Sequence, residues 1–188
     1  MALPSVAYTY KLNINRVDEG VYTDVTVTAA RHPSETLEHL QLRVLALCLF
    51  WAEGVEFGPA LADAEGADVW GRDLTGQVTL WVECGAADPE KTQRMVNAHP
   101  RARVVVLTCV PRREEEFLTL ARKAGVRKLD KVELWRVPEE LMAELGAQES
   151  RRNTWSVTVS EGHLYLETDG RTLDAELVHR KASEAMTT

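Results

Sequence analysis

The segment HPSETLEHLQLRVLALCLFWAEG, residues 32–54, constrains the fold more than any other part of the chain. It begins with the turn and capping residues Pro33 and Ser34, continues with helix formers, and reaches a stop at Gly54. From Leu40 onward, apolar residues occupy almost every side of this helix. A helix that is apolar all round is buried, and here we expect it to pack against a sheet. The segment therefore predicts a buried helix in an α/β fold.

Alternating segments on both sides of this helix predict the strands. Before it, VAYTYKLNIN and VYTDVTVTA, joined by the turn VDEG, predict an N-terminal β-hairpin with one buried face. After it, the sequence predicts strands at VEF, ADVW and QVTLWVEC, a helix that starts at Asp88 and Pro89, and a strand buried on both faces at ARVVVLTCV. The rest of the chain predicts a helix ended by Gly125, a strand at KVELWRV, a short helix at PEELMAEL and the β-meander NTWSVTVSEGHLYLETDGRTLDAELVHR.

The length and composition predict one soluble domain. The chain has 188 residues, of which 45% are apolar and 27% are charged, which is enough for a sizeable core. We expect a single domain over residues 1–180 and a flexible tail at residues 181–188. The three cysteines are too scattered for a disulfide framework, and the sequence contains neither a signal-peptide pattern nor a membrane-spanning run. These features predict a cytoplasmic protein with no membrane partner.

The charge distribution leaves two interpretations of one basic segment. The chain carries 22 Lys and Arg residues against 29 Asp and Glu residues, a net charge of -7, which argues against broad nonspecific binding to nucleic acid. Residues 101–136 nevertheless contain ten basic and five acidic residues, a local net charge of +5. This segment could flank a polyanion, but a solvated helix with mixed charges and adjoining loops explains it more simply.

Four carboxylates are expected near one edge of the sheet. The predicted order of helix, three strands, helix and buried strand brings Glu35 and Glu38 on the helix towards Asp68 and Glu83 near strand ends. Hard cations such as Mg²⁺ need only one or two protein carboxylates together with waters and substrate phosphate. An ion held there can activate water and neutralise charge on a phosphoryl group, while a nearby Lys or Arg stabilises the oxyanion. The acids therefore suggest Mg²⁺ or Mn²⁺ as cofactor.

Four segments also carry a family resemblance: ARHPSETLEHLQLRVLAL, WVECG with the helix after it, KVELWRVPEEL and SVTVSEGHLYLETDGRTLDAEL. Together they resemble the YaeQ family of small bacterial proteins over about residues 1–180, and the run RHPSET is the most specific part. The resemblance implies a restriction-endonuclease-like fold of the PD-(D/E)XK nuclease superfamily. This is an α/β fold with a three-layer α-β-β-β-α-β core, here with an N-terminal β-hairpin and a C-terminal β-meander. The resemblance implies no settled biochemical activity.

Within this resemblance, three acids match the metal-binding motif of the superfamily. Asp68 in ADVW matches the aspartate of the second core strand, and Glu83 matches the acid of the (D/E)XK element. Glu38 or, alternatively, Glu35 matches the acid of the first core helix. The resemblance thus implies that Asp68 and Glu83 hold the metal and that Glu38 completes or orients its shell.

The lysine of the motif is displaced in this chain, because Gly85 stands where it is expected. In superfamily members with displaced lysines the amine can come from the helix after the strand. The resemblance therefore implies Lys91 as the catalytic amine, with Arg94 one turn further on roughly the same face. Since a buried carboxylate needs a partner, the sequence leaves a metal ion, Lys91 and Arg94 open as the counter-charge of Glu83.

The residues before the first helix have two interpretations each. Arg31, His32, Ser34 and Glu35, together with Arg94 of the later helix, are candidate binding residues, and Arg31 and His32 could orient a substrate phosphate. Ser34 is more simply the N-cap of the helix, and Arg31 is as readily explained by an ion pair with Glu35 or Glu38. Lys91 alone is also typical of a solvated helix lysine.

Three functions remain open from the sequence. The first is a metal-dependent phosphodiesterase or nuclease that acts on nucleic acid through the variant acid cluster. The second is a catalytically degenerate nuclease fold, which binds nucleic acid or a partner protein without cleavage; the missing lysine at position 85 and the acidic charge balance favour it. The third is a protein-interaction scaffold that uses the edge strands of the C-terminal meander, including HLYLET.

Overall fold

The computed structural model describes residues 4–58, 65–147 and 149–186. Within these residues the chain is a mixed α/β protein with two sheets and five α-helices, which confirms the predicted α/β class. The chain divides into two compact units, a first unit of residues 1–51 and 137–177 and a second unit of residues 52–136 and 178–188. In the described ranges, none of the helices combines the length and the apolar character that a membrane crossing requires.

The strands and helices follow one another along the chain as β1 (Val6–Arg16), β2 (Val21–Arg31), α1 (Leu37–Leu49), β3 (Val55–Phe57), β4 (Val69–Arg72), β5 (Val78–Cys84), α2 (Pro89–Ala98), β6 (Arg103–Thr108), α3 (Pro111–Lys123), β7 (Val132–Arg136), α4 (Glu139–Gly146), β8 (Arg152–Ser160), β9 (His163–Thr168), β10 (Arg171–Glu176), β11 (Val178–Lys181) and α5 (Ala182–Ala185). A short 3₁₀ helix at Val17–Glu19 lies between β1 and β2, and another at Leu129–Lys131 lies between α3 and β7.

The first unit contains a five-stranded sheet in the order β10-β9-β8-β1-β2. The predicted hairpin of β1 and β2 is confirmed, and β1 also pairs in parallel with β8. Alternate residues of β1 are buried, among them Tyr10, Leu12 and Ile14, each at most 2% exposed. The N-terminal hairpin and the C-terminal meander are therefore parts of one sheet with a common buried face.

Helix α1 is buried as predicted, but its ends differ from the prediction. Every residue from Leu40 to Leu49 is buried. The N-cap is Thr36, whose side chain accepts a hydrogen bond from the backbone N–H of His39 at 3.1 Å. The helix stops at Leu49, and Gly54, the predicted stop, instead adopts a φ of +83° in the turn before β3.

The prediction of Ser34 as the N-cap of α1 is wrong. Its hydroxyl is hydrogen bonded to Nδ1 of His32 at 2.7 Å, and the backbone N–H of Glu35 donates to the His32 carbonyl at 2.9 Å. These two contacts close a turn before the helix begins. Ser34 belongs to this turn, and Thr36, two residues later, is the N-cap of α1.

The second unit contains a six-stranded sheet in the order β11-β7-β6-β5-β4-β3. Strands β5, β6 and β7 are parallel, whereas β3, β4 and β11 pair antiparallel with their neighbours. One face carries Trp81, Val104 and Leu134, which share a core with Phe117 of α3. The continuous apolar run of β6 is buried along almost its whole length, as expected for a central parallel strand.

The C-terminal part differs from the prediction in three ways. Residues 178–180, predicted as part of the meander, form β11 together with Lys181, and this strand pairs with β7 in the second sheet. The HLYLET strand, β9, lies between β8 and β10, so it is not an edge strand. Residues 181–186, predicted as part of a flexible tail, include α5, whose Ala182 is fully buried; residues 187–188 lie outside the described residues.

Candidate functional site

Three of the predicted site residues come together in the second unit. Glu83 lies near the end of β5, in the interior of the six-stranded sheet. Asp68 directly precedes β4, and its backbone N–H donates to the Val82 carbonyl at 3.0 Å. Lys91 lies in the first turn of α2, whose N-cap is Asp88. Two neighbouring strands and the helix that follows them therefore position the three side chains.

Lys91 supplies the counter-charge of Glu83. Its Nζ lies 2.9 Å from Oε1 and 3.1 Å from Oε2 of Glu83, and it donates to the Gly66 carbonyl at 2.8 Å. The indole N–H of Trp81 donates to Oε1 of Glu83 at 2.7 Å. Sequence reasoning missed the contacts to Trp81 and Gly66. Trp81 could have been found, because side chains two apart on a strand share a face.

Arg94, the other candidate partner of Glu83, is engaged elsewhere. Its guanidinium Nη2 lies 3.0 Å from both carboxylate oxygens of Glu65, and about half of the Arg94 side chain is exposed. An exposed ion pair of this kind contributes little to stability. The two cations of α2 thus differ in role, since Lys91 lies inside the site and Arg94 lies on the surface.

The three central side chains are almost completely buried, with Asp68 and Lys91 each 8% exposed and Glu83 7% exposed. Burial raises the pKa of Glu83, hydrogen bonds from Lys91 and Trp81 oppose this increase, and the charge of Asp68 adds to it. Oδ2 of Asp68 accepts a hydrogen bond from the backbone N–H of Cys84 at 2.8 Å. Two carboxylates and one ammonium carry a formal net charge of -1. A buried site of this charge favours a protonated Glu83, in line with its raised pKa, or a further cation.

Asp68 and Glu83 are the residues that could hold a metal ion. Carboxylate oxygens suit Mg²⁺ and Mn²⁺, and Mg²⁺ takes its other ligands from water and substrate phosphate. In the described part of the chain, His, Cys, Asp and Glu form no group of three or more that could hold a metal. The donor set therefore fits an ion that needs two protein ligands, and it does not fit a structural zinc site.

In the first unit, the side chain of Glu35 is fully buried, and its carboxylate has several polar partners. Nη1 of Arg43 lies 3.1 and 3.3 Å from its two oxygens, Nδ1 of His39 lies 2.8 Å from Oε1, and the His32 backbone N–H donates to Oε2 at 3.2 Å. Burial raises the pKa of Glu35, but the contacts from His39 and Arg43 outweigh it and lower the pKa below its ordinary value. Glu35 is therefore an ionised anchor for the start of α1.

Of the interpretations that the sequence left open for Arg31, an ion pair with the carboxylate of Glu35 is wrong. Arg31 does not pair with its carboxylate; Nε donates to the main-chain carbonyl of Glu35 at 2.9 Å. The carboxylate binds Arg43, which the sequence analysis did not consider. The signal was present, because Glu35, His39 and Arg43 follow one another at steps of four residues, the spacing of one helix face.

Glu38 lies in the first turn of α1 and is half-buried. A Cβ placed on Gly146, at the end of α4, would lie 3.5 Å from the Cβ of Glu38, so the stem of Glu38 packs against α4 within the first unit. Its role in completing a metal shell stays a prediction.

Comparisons with known proteins agree on one family. A family model described as "YaeQ protein" matches residues 1–177. The "Uncharacterized protein YaeQ" of Escherichia coli (strain K12) is 27% identical over 177 residues, which cover 94% of this chain and 96% of that protein. The crystal structure of a YaeQ protein from Xanthomonas axonopodis pv. citri matches with a TM-score of 0.83 and 28% identity, covering 94% of this chain and 98% of that one. A YaeQ protein structure from Pseudomonas syringae matches with a TM-score of 0.82 and 28% identity, covering 94% and 96% of the two chains.

Proposed function

This chain belongs to the YaeQ family, and from that premise we propose that Asp68, Glu83 and Lys91 form a metal-dependent phosphodiesterase site that acts on nucleic acid. The proposal includes a variant PD-(D/E)XK motif and the restriction-endonuclease-like layering that goes with it. One observation carries it: Lys91 extends from the helix after β5 and its Nζ lies 2.9 Å from Glu83. That contact supports an acid–acid–lysine set in which the lysine comes from α2 and not from position 85.

Each side chain has a separate task in the proposed site. Asp68 and Glu83 would hold Mg²⁺ or Mn²⁺. When bound, such an ion would activate water and neutralise the negative charge of the phosphoryl group. The ammonium group of Lys91 would place positive charge beside the phosphoryl oxygens. Trp81 fixes the orientation of the Glu83 carboxylate through its indole N–H. Burial of these groups strengthens their electrostatic effect, because the effective dielectric constant around them is low.

A second candidate function is binding of nucleic acid or a partner protein without cleavage. The observation that favours it is the complete hydrogen bonding of Lys91, whose Nζ contacts both Glu83 oxygens and the Gly66 carbonyl. A buried ion pair of this kind neutralises Glu83 without any metal. In that case the acid cluster is structural, and binding is independent of Mg²⁺ and sensitive to salt.

The test is a cleavage assay on single- and double-stranded DNA and RNA with Mg²⁺ or Mn²⁺, using Glu83→Gln, Asp68→Asn and Lys91→Met. Glu133→Gln is the matched control, because Glu133 is a carboxylate of the same sheet that also accepts from a tryptophan indole, at 2.9 Å, and pairs with a cation, Arg103, at 2.8 Å. We expect each site variant to lose about 100-fold or more in rate and the control to retain activity.

The outcomes separate the two functions. Cleavage that persists in Glu83→Gln, in a preparation free of contaminating nuclease, shows that the proposed site is not the source of activity. Absence of cleavage by the wild type, together with metal-independent binding, favours the second function. Calorimetric titration of Mg²⁺ and Mn²⁺ into the wild type and Glu83→Gln checks the metal directly, and equal binding by both proteins contradicts the assignment of Glu83 as a ligand.

A further inference from the structure

Strand β2 forms one edge of the five-stranded sheet of the first unit. It spans Val21–Arg31 and pairs with β1 along its whole length, in a register without a shift. Among the strands in the described residues, none pairs with its other side. Towards its C-terminal end, Nη1 of Arg43 donates to the Ala30 carbonyl at 3.5 Å. The stretch Val21–Ala29 is thus a long edge open to strand pairing.

The other sheet edges are protected, whereas β2 is not. Proteins usually prevent edge pairing by short strands, charged residues, proline or bulges. Strand β3 has three residues, β11 has four and contains Arg180 and Lys181, and β10 has six, including the acids Asp174 and Glu176. Strand β2 has eleven residues with neither lysine nor proline, and Asp24 is its only charge before the terminal arginine.

The buried face of the sheet is incompletely covered along β2. Leu12 and Tyr10 of β1 are at most 2% exposed, yet their neighbours across the hairpin, Val25 and Val27, are only half-buried. A strand added beside β2 would cover these valines and satisfy the open backbone groups.

We propose that β2 pairs antiparallel with β2 of a second copy of this chain, which joins two five-stranded sheets into one of ten strands. The stretch Val21–Ala29 is self-complementary about Val25. A two-fold axis at Val25 places opposite each other Thr23 and Val27, Asp24 and Thr26, Tyr22 and Thr28, and the two copies of Val25. No like charges meet, and β-branched and aromatic residues face one another, which are favourable cross-strand pairs. This interface is independent of the phosphodiesterase site.

Two substitutions test the interface, Thr26→Asp and Thr154→Asp. Both threonines are exposed and lie opposite Lys11, one on β2 and the other on β8, so each new aspartate has the same neighbour within its own chain. Only Thr26→Asp places an aspartate opposite Asp24 of the second copy, and symmetry makes this happen twice. Strand β8 lies in the interior of the sheet between β1 and β9, so Thr154→Asp is the matched control.

Sedimentation equilibrium from about 1 to about 100 µM, with thermal melting as a folding check, measures the effect. We expect a wild-type dimer, a dissociation constant raised at least about tenfold in Thr26→Asp, and a change of less than about threefold in Thr154→Asp. A wild type that is monomeric at about 100 µM overturns the proposal. The proposal is also overturned if both variants weaken the dimer equally or if neither variant weakens it.

Discussion

Replacing Lys91 with methionine isolates the electrostatics of the buried site. The substitution keeps the length of the side chain but removes the ammonium, with its contacts to both oxygens of Glu83 and to the Gly66 carbonyl. Glu83 then keeps the hydrogen bond from Trp81 and lies near the charge of Asp68 without a compensating cation. The variant therefore carries an unpaired buried carboxylate.

The cost follows from the burial of the pair. Lys91 is 8% exposed and Glu83 7% exposed, so solvent screens their interaction only weakly. Removing one partner of a buried ion pair costs about 3–5 kcal/mol of unfolding free energy. In a chain of this size 1 kcal/mol corresponds to roughly 2–4 °C in Tm, so we expect Tm to fall by about 10 °C.

The direction in which the stability deficit of Lys91→Met changes with pH follows from the pKa of Glu83. Burial raises the pKa of Glu83 in the folded protein. The stability that comes from protonated Glu83 is fully present below the ordinary glutamate pKa and is lost as pH rises through the raised value. Loss of Lys91 raises that value further. The deficit of Lys91→Met is therefore largest at neutral pH and decreases on acidification.

Urea unfolding of the wild type and Lys91→Met, followed by tryptophan fluorescence at neutral pH and at pH about 5, measures this deficit. The double variant Glu83→Gln/Lys91→Met is the control, because it buries no charge on Glu83 and should be more stable than Lys91→Met alone. In the proposed metal site, Mg²⁺ should also stabilise Lys91→Met more than the wild type. A deficit below about 1 kcal/mol at neutral pH, or one that does not change with pH, refutes the reasoning.

Three further predictions concern other charged and capping groups. Arg43→Met leaves the buried carboxylate of Glu35 without its arginine, so urea unfolding should show a loss of about 3 kcal/mol or more. Burial raises the pKa of Glu133, but its cationic and indole partners lower it to about 2. The stability that ionised Glu133 contributes is therefore present above the ordinary glutamate pKa of 4.5 and is lost as pH falls towards about 2. In an acid titration, the difference in unfolding free energy between wild type and Glu133→Gln should decrease between these two pH values. Thr36→Ala should cost about 1 kcal/mol and Ser34→Ala clearly less, as measured by thermal melting, because only Thr36 caps α1; equal losses would contradict this cap.

Local periodicity explains why most elements could be predicted. The alternation in β1 and the apolar surface of α1 depend on neighbouring residues, and both predictions are confirmed. The parallel pairing of β1 with β8 could not be predicted in this way, because Leu12 faces Trp155 across a long separation in sequence. The assignment of residues 178–180 to the meander was wrong for the same reason, since β11 pairs with β7, which is distant in sequence.

The site was partly predictable. The family resemblance implied Lys91 in the helix after β5, and the structure brings its Nζ within 3.1 Å of both Glu83 oxygens. The sequence could not tell whether Lys91 or Arg94 is the partner of Glu83, because both lie on similar faces of α2. The two residues differ in exposure, since Lys91 is buried and Arg94 is about half exposed. Arg43 was not considered as a partner of Glu35 for a similar reason, since nearness in sequence does not reveal which arginine turns inward.

The backbone at Gly85 bears on the proposed variant motif, in which the lysine comes from α2 and not from position 85. Gly85 has a φ of +78°, and its N–H donates to the Leu107 carbonyl at 2.8 Å, so the backbone is held by β6 in a conformation that a lysine adopts only with strain. A lysine at position 85 would cost about 1–2 kcal/mol. Lys91 avoids that cost, but burying its charge also costs free energy. It is 8% exposed and contacts three acceptor atoms, so it is not a solvated helix lysine. Because a buried ion pair seldom contributes net stability, the burial of Lys91 beside Glu83 is in keeping with the charged site proposed above.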